Sequence, residues 1–292
     1  MANQKSKLNR GTQILNSVLT LVFSLISIAY VYPLFIMLVN SFKKKAYISR
    51  APFTVPLPGT ETWTKMFVGL QNYITGIEKT EFFRSFWFSL VITVLSVFVI
   101  LLFCSMTAWY INRVTSKLSK GVYALCLFSM VVPFQMVMFT LSKLANMLRL
   151  NTPLGIVIIY LGFGAGLAVF MFSGYMKSCP IAIEESAMID GCSPPRTFFS
   201  IVLPILQPTY VSTAILEAMW IWNDYLLPYL VLDIKKYKTI PIAVQYLKGG
   251  YGSVDMGAMM AMLVLAIIPI IALYLACQKF IISGVMAGAV KG

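Results

Sequence analysis

The sequence predicts an all-α polytopic membrane protein with about six transmembrane helices, and three observations carry that prediction. Of 292 residues, 59% are hydrophobic and only 11% charged, against about 25% charged in soluble domains. Mean hydropathy is +0.82. Apolar runs recur at 14–39, 86–111, 121–142, 153–176, 209–232 and 257–282, each near the roughly 20 residues that a helix needs to cross the hydrocarbon core.

In chain order, a tail at 1–13 bears Lys5, Lys7 and Arg10. The run that follows is too long for a signal-peptide core and lacks a small-residue cleavage site, so 14–39 reads as an uncleaved first span. Residues 40–85 form a long loop carrying Lys43-Lys44-Lys45, Pro52, Pro56, Pro58 and Gly59. A core of five further spans occupies 86–282, and 283–292 is a second tail. Pro133 and Pro269 lie inside the third and sixth runs. Each lacks an N–H and is expected to kink its helix. Gly162 and Gly166 place a GxxxG in the fourth span, which permits close helix approach. Two loops of the core are long enough for more than connection: 181–204, and 233–256 with Lys235, Lys236, Lys238 and Lys248 ahead of Gly249-Gly250-Tyr251-Gly252.

Composition also narrows the chemistry. The net charge of +13 comes without a basic, aromatic-interleaved patch, so nucleic acid is not expected as a partner and the lipid bilayer is. There is no histidine, hence neither the commonest general base nor the commonest metal ligand. Cys104, Cys126, Cys179, Cys192 and Cys277 show no CxxC spacing, and no metal site or catalytic residue is predicted. No Gly-x-x-x-x-Gly-Lys-Ser/Thr occurs, so any ATP would be bound by another subunit.

The 181–204 loop reads as a compact helix–turn–helix. Pro180 precedes a two-turn helix over 181–189 with Glu184 and Glu185 in its first half, where the macrodipole favours acids. Gly191 suits the left-handed residue that ends a helix. Ser193 is placed to cap a second helix that starts at Pro194 and closes at Leu203-Pro204. A short amphipathic helix fits a groove on a partner. An interfacial helix on lipid headgroups would carry Lys or Arg on its polar face, whereas this one is acidic.

Polar residues inside spans mark candidate path positions, because ionisable groups there are costly and face the bundle interior or a pathway. Glu217 and Asp224 lie seven residues apart, on nearly the same helix face. For Asn223 and Asp224, near a span end, a solvated or capping role and a substrate contact stand open. For Glu217 a structural ion pair or an inter-subunit contact is favoured, and Gln135 beside Pro133 is a further path candidate.

The spacing Glu185, Ala187, Gly191, Ile201, Leu203, Pro204 resembles the EAA loop of ABC-importer permeases, with Ser186 in place of the first alanine. Leu150-Asn151-Thr152 with Gly155, Trp222-Asn223-Asp224-Tyr225-Leu226-Leu227-Pro228 and the ending Gly284-Val285-Met286-Ala287-Gly288-Ala289-Val290-Lys291-Gly292 look like segments of the maltose-type, carbohydrate-uptake branch. The likeness runs from about residue 14 to the end and is strongest to the shorter of that branch's two permease chains.

That resemblance implies a bacterial cytoplasmic (inner) membrane protein translocating a sugar or oligosaccharide by ATP-driven alternating access. It implies a heterodimer with a second permease, a pair of ATPase subunits holding ATP and Mg, and an extracytoplasmic solute-binding protein. Glu184, Glu185, Ala187, Asp190, Gly191, Leu203 and Pro204 would couple to the ATPase. Gly288, Ala289 and Lys291 in the tail would reach it too, and Gly249, Gly250 and Tyr251 would meet the binding protein. The chain itself would perform no covalent chemistry and bind no cofactor.

Orientation rests on the resemblance, with both termini cytoplasmic. Lys/Arg counting leans the other way, with ten on the inner segments and thirteen on the outer. Two alternatives follow from the same residues: an importer of a non-sugar solute, and an ion-coupled carrier using Glu217 and Asp224, which inverted repeats or a pair of broken helices would favour, and neither is visible in the sequence.

Overall fold

The computed structural model describes residues 10–247 and 254–289, with side-chain surroundings for 11–247 and 254–278. Fifteen helices follow one another among these: α1 (Arg10–Ser41), α2 (Lys45–Arg50), α3 (Glu61–Met66), α4 (Gln71–Thr80), α5 (Phe82–Arg113), α6 (Lys117–Val131), α7 (Phe134–Met147), α8 (Gly155–Met176), α9 (Ala182–Ile189), α10 (Pro194–Thr197), α11 (Leu203–Ile205), α12 (Gln207–Asn223), α13 (Leu226–Val231), α14 (Ile240–Gln245) and α15 (Met256–Ala289). The described residues form no strand, and Lys43 and Phe67 pair in an isolated antiparallel bridge. Four helices are long and apolar enough to cross a membrane, and six spans result if each of two bent helix pairs counts as one.

The bends carry the main departures from expectation. The third run is broken rather than kinked: α6 and α7 meet at 107°. Pro133 stands at the N-cap of α7 with extended backbone, and a proline disfavours helical geometry in the residue before it. The fifth run stops at Asn223, because Asp224 adopts extended backbone. Pro269, by contrast, lies inside the unbroken α15.

The chain divides into two compact units, 1–76 with 247–265 and 77–246 with 266–292. In the first, Lys43 is fully buried, its ammonium donating to the carbonyls of Ala51 and Pro52 at 3.0 Å each. Asn72 donates to the carbonyls of Ser41 and Lys43 at 2.8 Å each. Lys43 is therefore a structural staple and not one of the free charges of the Lys43–Lys45 run. Along α1, by contrast, apolar side chains such as Ile14, Phe23 and Tyr30 are exposed, as on a helix whose solvent is lipid or another subunit.

The second unit is built inside out relative to a soluble core. From α5 it buries Ser85, Ser89, Thr93, Ser96, Cys104, Ser105 and Ala108 and turns Phe83, Trp87, Phe98 and Phe103 outward. In lipid, large apolar groups gain nothing by hiding, so small residues take the helix interfaces. The interior is α8, packed on α5, α6 and α12. Tyr160, Ala168, Phe172 and Met176 of α8 are buried with Ile100 and Cys104.

Close approach in α8 uses a different glycine pair from the one expected. A Cβ on Gly166 would lie 2.7 Å from the Cys126 carbonyl oxygen and one on Gly164 2.6 Å from Ile100 Cδ1, while Gly162 faces open space. Gly166→Ala is expected to lower stability by about 1–3 kcal/mol through overpacking, and Gly162→Ala to leave it unchanged. Thermal melting of the detergent-solubilised protein compares the two.

Candidate functional site

The 181–204 loop folds much as its sequence dictates. The first helix, α9, follows Pro180 and Ile181 and carries Glu184 and Glu185 in its first turn. Gly191 has φ +82°. Its N–H donates to the Met188 carbonyl at 3.0 Å and that of Cys192 to the Ala187 carbonyl at 2.9 Å, the paired bonds of a Schellman stop. No neighbour approaches the Cβ position of Gly191, so glycine is required there by backbone conformation and not by space.

The second half departs from the single helix expected. Ser193 stands at the N-cap of α10, but its hydroxyl makes no capping bond. After α10, Phe198–Val202 forms a π-helical turn and α11 follows. Pro204 has no N–H to donate back four residues, and a wider turn accommodates the freed carbonyl. Leu203-Pro204 does not close the helix: it runs on to Ile205, and the axis then bends by 77° into α12.

Of the two acids of α9, Glu184 is buried and Glu185 exposed. Glu184 is 4% exposed. Its Oε1 accepts from Arg113 Nε at 3.0 Å and Nη2 at 2.8 Å, and its Oε2 accepts from Trp109 Nε1 at 2.8 Å. Arg113 Nη2 also donates to the Cys179 carbonyl at 3.2 Å. The Trp109 ring lies 5.5 Å, centroid to centroid, from that of buried Phe198. The last two turns of α5 thus hold the turn after α8, the first helix of the loop and its second half.

With Glu184 and Ala187 turned inward, Glu185, Asp190, Gly191 and Pro204 remain exposed and Leu203 is half-buried. Beside them Ile183, Met188, Ile189 and Phe199 are exposed, Ile189 at 86%. The exposed surface of the loop thus mixes these apolar side chains with Glu185, Asp190 and Arg196. Sequence reasoning overlooked Trp109 and Arg113; their four-residue spacing at a helix end was the available signal.

The path candidates do not assemble into one site. Glu217 is 1% exposed, and neither of its carboxylate oxygens has a hydrogen-bond partner among the described residues. Oε2 lies 3.0 Å from the Cβ position of Gly164. Among the described residues Glu217 forms no ion pair, which leaves the inter-subunit contact open. Asp224 caps α13 instead, accepting from Leu226 N at 3.0 Å and Leu227 N at 3.3 Å, with the Tyr160 hydroxyl at 3.1 Å. Asn223 is exposed and donates to the Met219 carbonyl at 2.7 Å, and Gln135 is exposed in the first turn of α7. Gly288 and Ala289 lie at the end of α15. Gly249, Gly250, Tyr251 and Lys291 lie outside the described residues.

Comparison with known proteins identifies the family. Residues 1–286 match the family described as the binding-protein-dependent transport system inner membrane component. The chain is 36% identical, over 97% of its length and 99% of the relative, to a probable starch degradation products transport system permease protein, AmyC, of Thermoanaerobacterium thermosulfurigenes. It is 35% identical, over 89% of its length and 91% of the relative, to the multiple sugar-binding transport system permease protein MsmG of Streptococcus mutans. Among solved structures, a bacterial ABC transporter that imports the acidic polysaccharide alginate shares the fold, with TM-score 0.75 at 18% identity, covering 93% of this chain and 98% of that one. The chain therefore belongs to the binding-protein-dependent transport system inner membrane components, membrane permeases that perform no covalent chemistry of their own.

Proposed function

We propose that the chain is the permease subunit of a binding-protein-dependent ABC importer that carries a sugar or oligosaccharide into the cytoplasm. The observation that carries this reading is the loop over α9–α11: Glu184 is spent inside the chain, while Glu185, Asp190 and the apolar Ile183, Met188, Ile189 and Phe199 are left exposed. A short helix that exposes both apolar and acidic side chains fits a groove on a soluble partner, here a cytoplasmic ATPase subunit holding ATP and Mg. Two such ATPases, a second permease and an extracytoplasmic solute-binding protein complete the machine. Both termini then lie on the cytoplasmic side of a bacterial inner membrane, with 233–256 on the outer side.

The sugar class follows from the relatives, whose names concern starch degradation products and multiple sugars. Two helix pairs are broken, contrary to the sequence reading, but the carrier alternative still finds no joint Glu217–Asp224 site, since Asp224 is engaged in capping α13. Reconstituting the complex in liposomes with its binding protein tests the reading. Radiolabelled maltooligosaccharides, raffinose and arabinooligosaccharides are offered, each with and without ATP inside. Uptake of at least one that requires both ATP and the binding protein is expected. Uptake driven by an ion gradient without ATP would overturn the reading.

A further inference from the structure

Arg113 and Trp109 end a helix of 32 residues, about 48 Å long at 1.5 Å per residue. At the opposite end of α5, Arg84 Nη2 donates to the Lys236 carbonyl at 3.1 Å. Ser89 Oγ accepts from Ile240 N at 2.8 Å, and the Phe88 and Tyr237 rings stand edge to face at 5.3 Å. One helix thus grips both the 181–204 loop and the segment 233–240, each through a charged or polar side chain bonded across to it.

The inner grip is the more specific. Two guanidinium N–H groups converge on one carboxylate oxygen in charge-assisted bonds, and an indole N–H occupies the second. A lone contact would let the loop pivot. Three donors on one carboxylate, together with the Trp109–Phe198 ring contact, hold it as a unit on the end of α5.

We propose that Arg113, Trp109 and Glu184 form the joint through which movement of the 181–204 loop enters α5, and that α5 carries it to 233–240. The proposal rests on the permease reading above. Glu184 is on this account a positioning residue that acts through α5, while Glu185 faces the ATPase.

The test uses the intact complex in lipid nanodiscs. Lys236→Cys serves as the reporter, in a chain whose five native cysteines are replaced by alanine. Maleimide labelling of the reporter is timed with and without ATP plus vanadate. With the joint intact, trapping is expected to change the labelling rate about fivefold or more, the low end of ordinary site-to-site coupling. Glu184→Gln is expected to retain ATPase co-purification and ATP hydrolysis while abolishing that change. Trp109→Phe, a milder variant that keeps the ring against Phe198 and removes only the indole donor, is expected to diminish it.

Persistence of the full response in both variants would overturn the joint. So would loss of the ATPase from both, which would make these residues part of the docking surface. If the intact complex holds an ATPase but the reporter never responds, α5 does not carry the movement and the joint fails alone. If no ATPase accompanies the unmutated chain, the permease reading fails and the joint falls with it.

Discussion

Arg113→Ala is expected to lower the stability of the detergent-solubilised protein by about 3 kcal/mol, the low end for breaking a buried ion pair from one side. The asymmetry of the site explains the size. Arg113 is itself 17% exposed at its side chain, but the Glu184 it leaves behind is 5% exposed. A carboxylate in that position cannot rehydrate without lifting α9 from the end of α5. Trp109 would remain as its one donor from α5, and the Cys179 carbonyl would lose the bond from Arg113. Arg113→Lys keeps the charge but not the fork, so a loss of about 1 kcal/mol is expected. For a chain of this size, the alanine variant should melt about 6–12 °C lower. Melting of Arg113→Ala at the wild-type temperature would show that the pair contributes nothing to holding the loop.

The second large effect is expected at Gly191. At φ +82° an L-residue pays about 1–2 kcal/mol for the left-handed conformation, with Asn the best tolerated of the substitutes and β-branched residues the worst. Because no atom lies within 4 Å of the Cβ position, the cost is conformational and not steric. The retained ATPase should therefore fall in the order Gly, Asn, Ala, Val as the turn between α9 and α10 is re-aimed. The bundle remote from the turn should stay folded throughout, as judged by unchanged gel-filtration behaviour. Equal ATPase retention by Gly191→Val and wild type would mean that the angle of this turn does not matter for docking.

Much of the loop was legible in advance because its signals are local. An acidic first turn after Pro180 and a glycine at the stop define α9 with little help from the rest of the chain. What remained hidden depended on packing between elements distant in sequence. Glu184 and Glu185 are equivalent by propensity, and only the presence of Trp109 and Arg113 some seventy residues earlier sends one inward.

The same holds in the spans. Hydropathy located the apolar runs, but it does not distinguish a kink from the 107° break at Pro133, nor a GxxxG that packs from one in which Gly162 faces open space. For Asp224 the sequence leaves a cap and a substrate contact open, because its run looks continuous. The structure ends α12 there and uses the carboxylate as a cap. Of the candidate path residues only Glu217 keeps its carboxylate buried and unpartnered among the described residues.

The measurement that tests the central claim most directly is co-purification. The tagged chain is isolated from its native membrane in mild detergent, as wild type and as Glu185→Arg, and the bound ATPase and second permease are quantified. Glu185 is exposed on α9, so reversing its charge should leave the fold and the second permease in place. The bound ATPase should fall by about tenfold or more, the loss expected when like charges are juxtaposed at an interface. Wild-type chain isolated without any ATPase, or Glu185→Arg retaining it in full, would contradict the account.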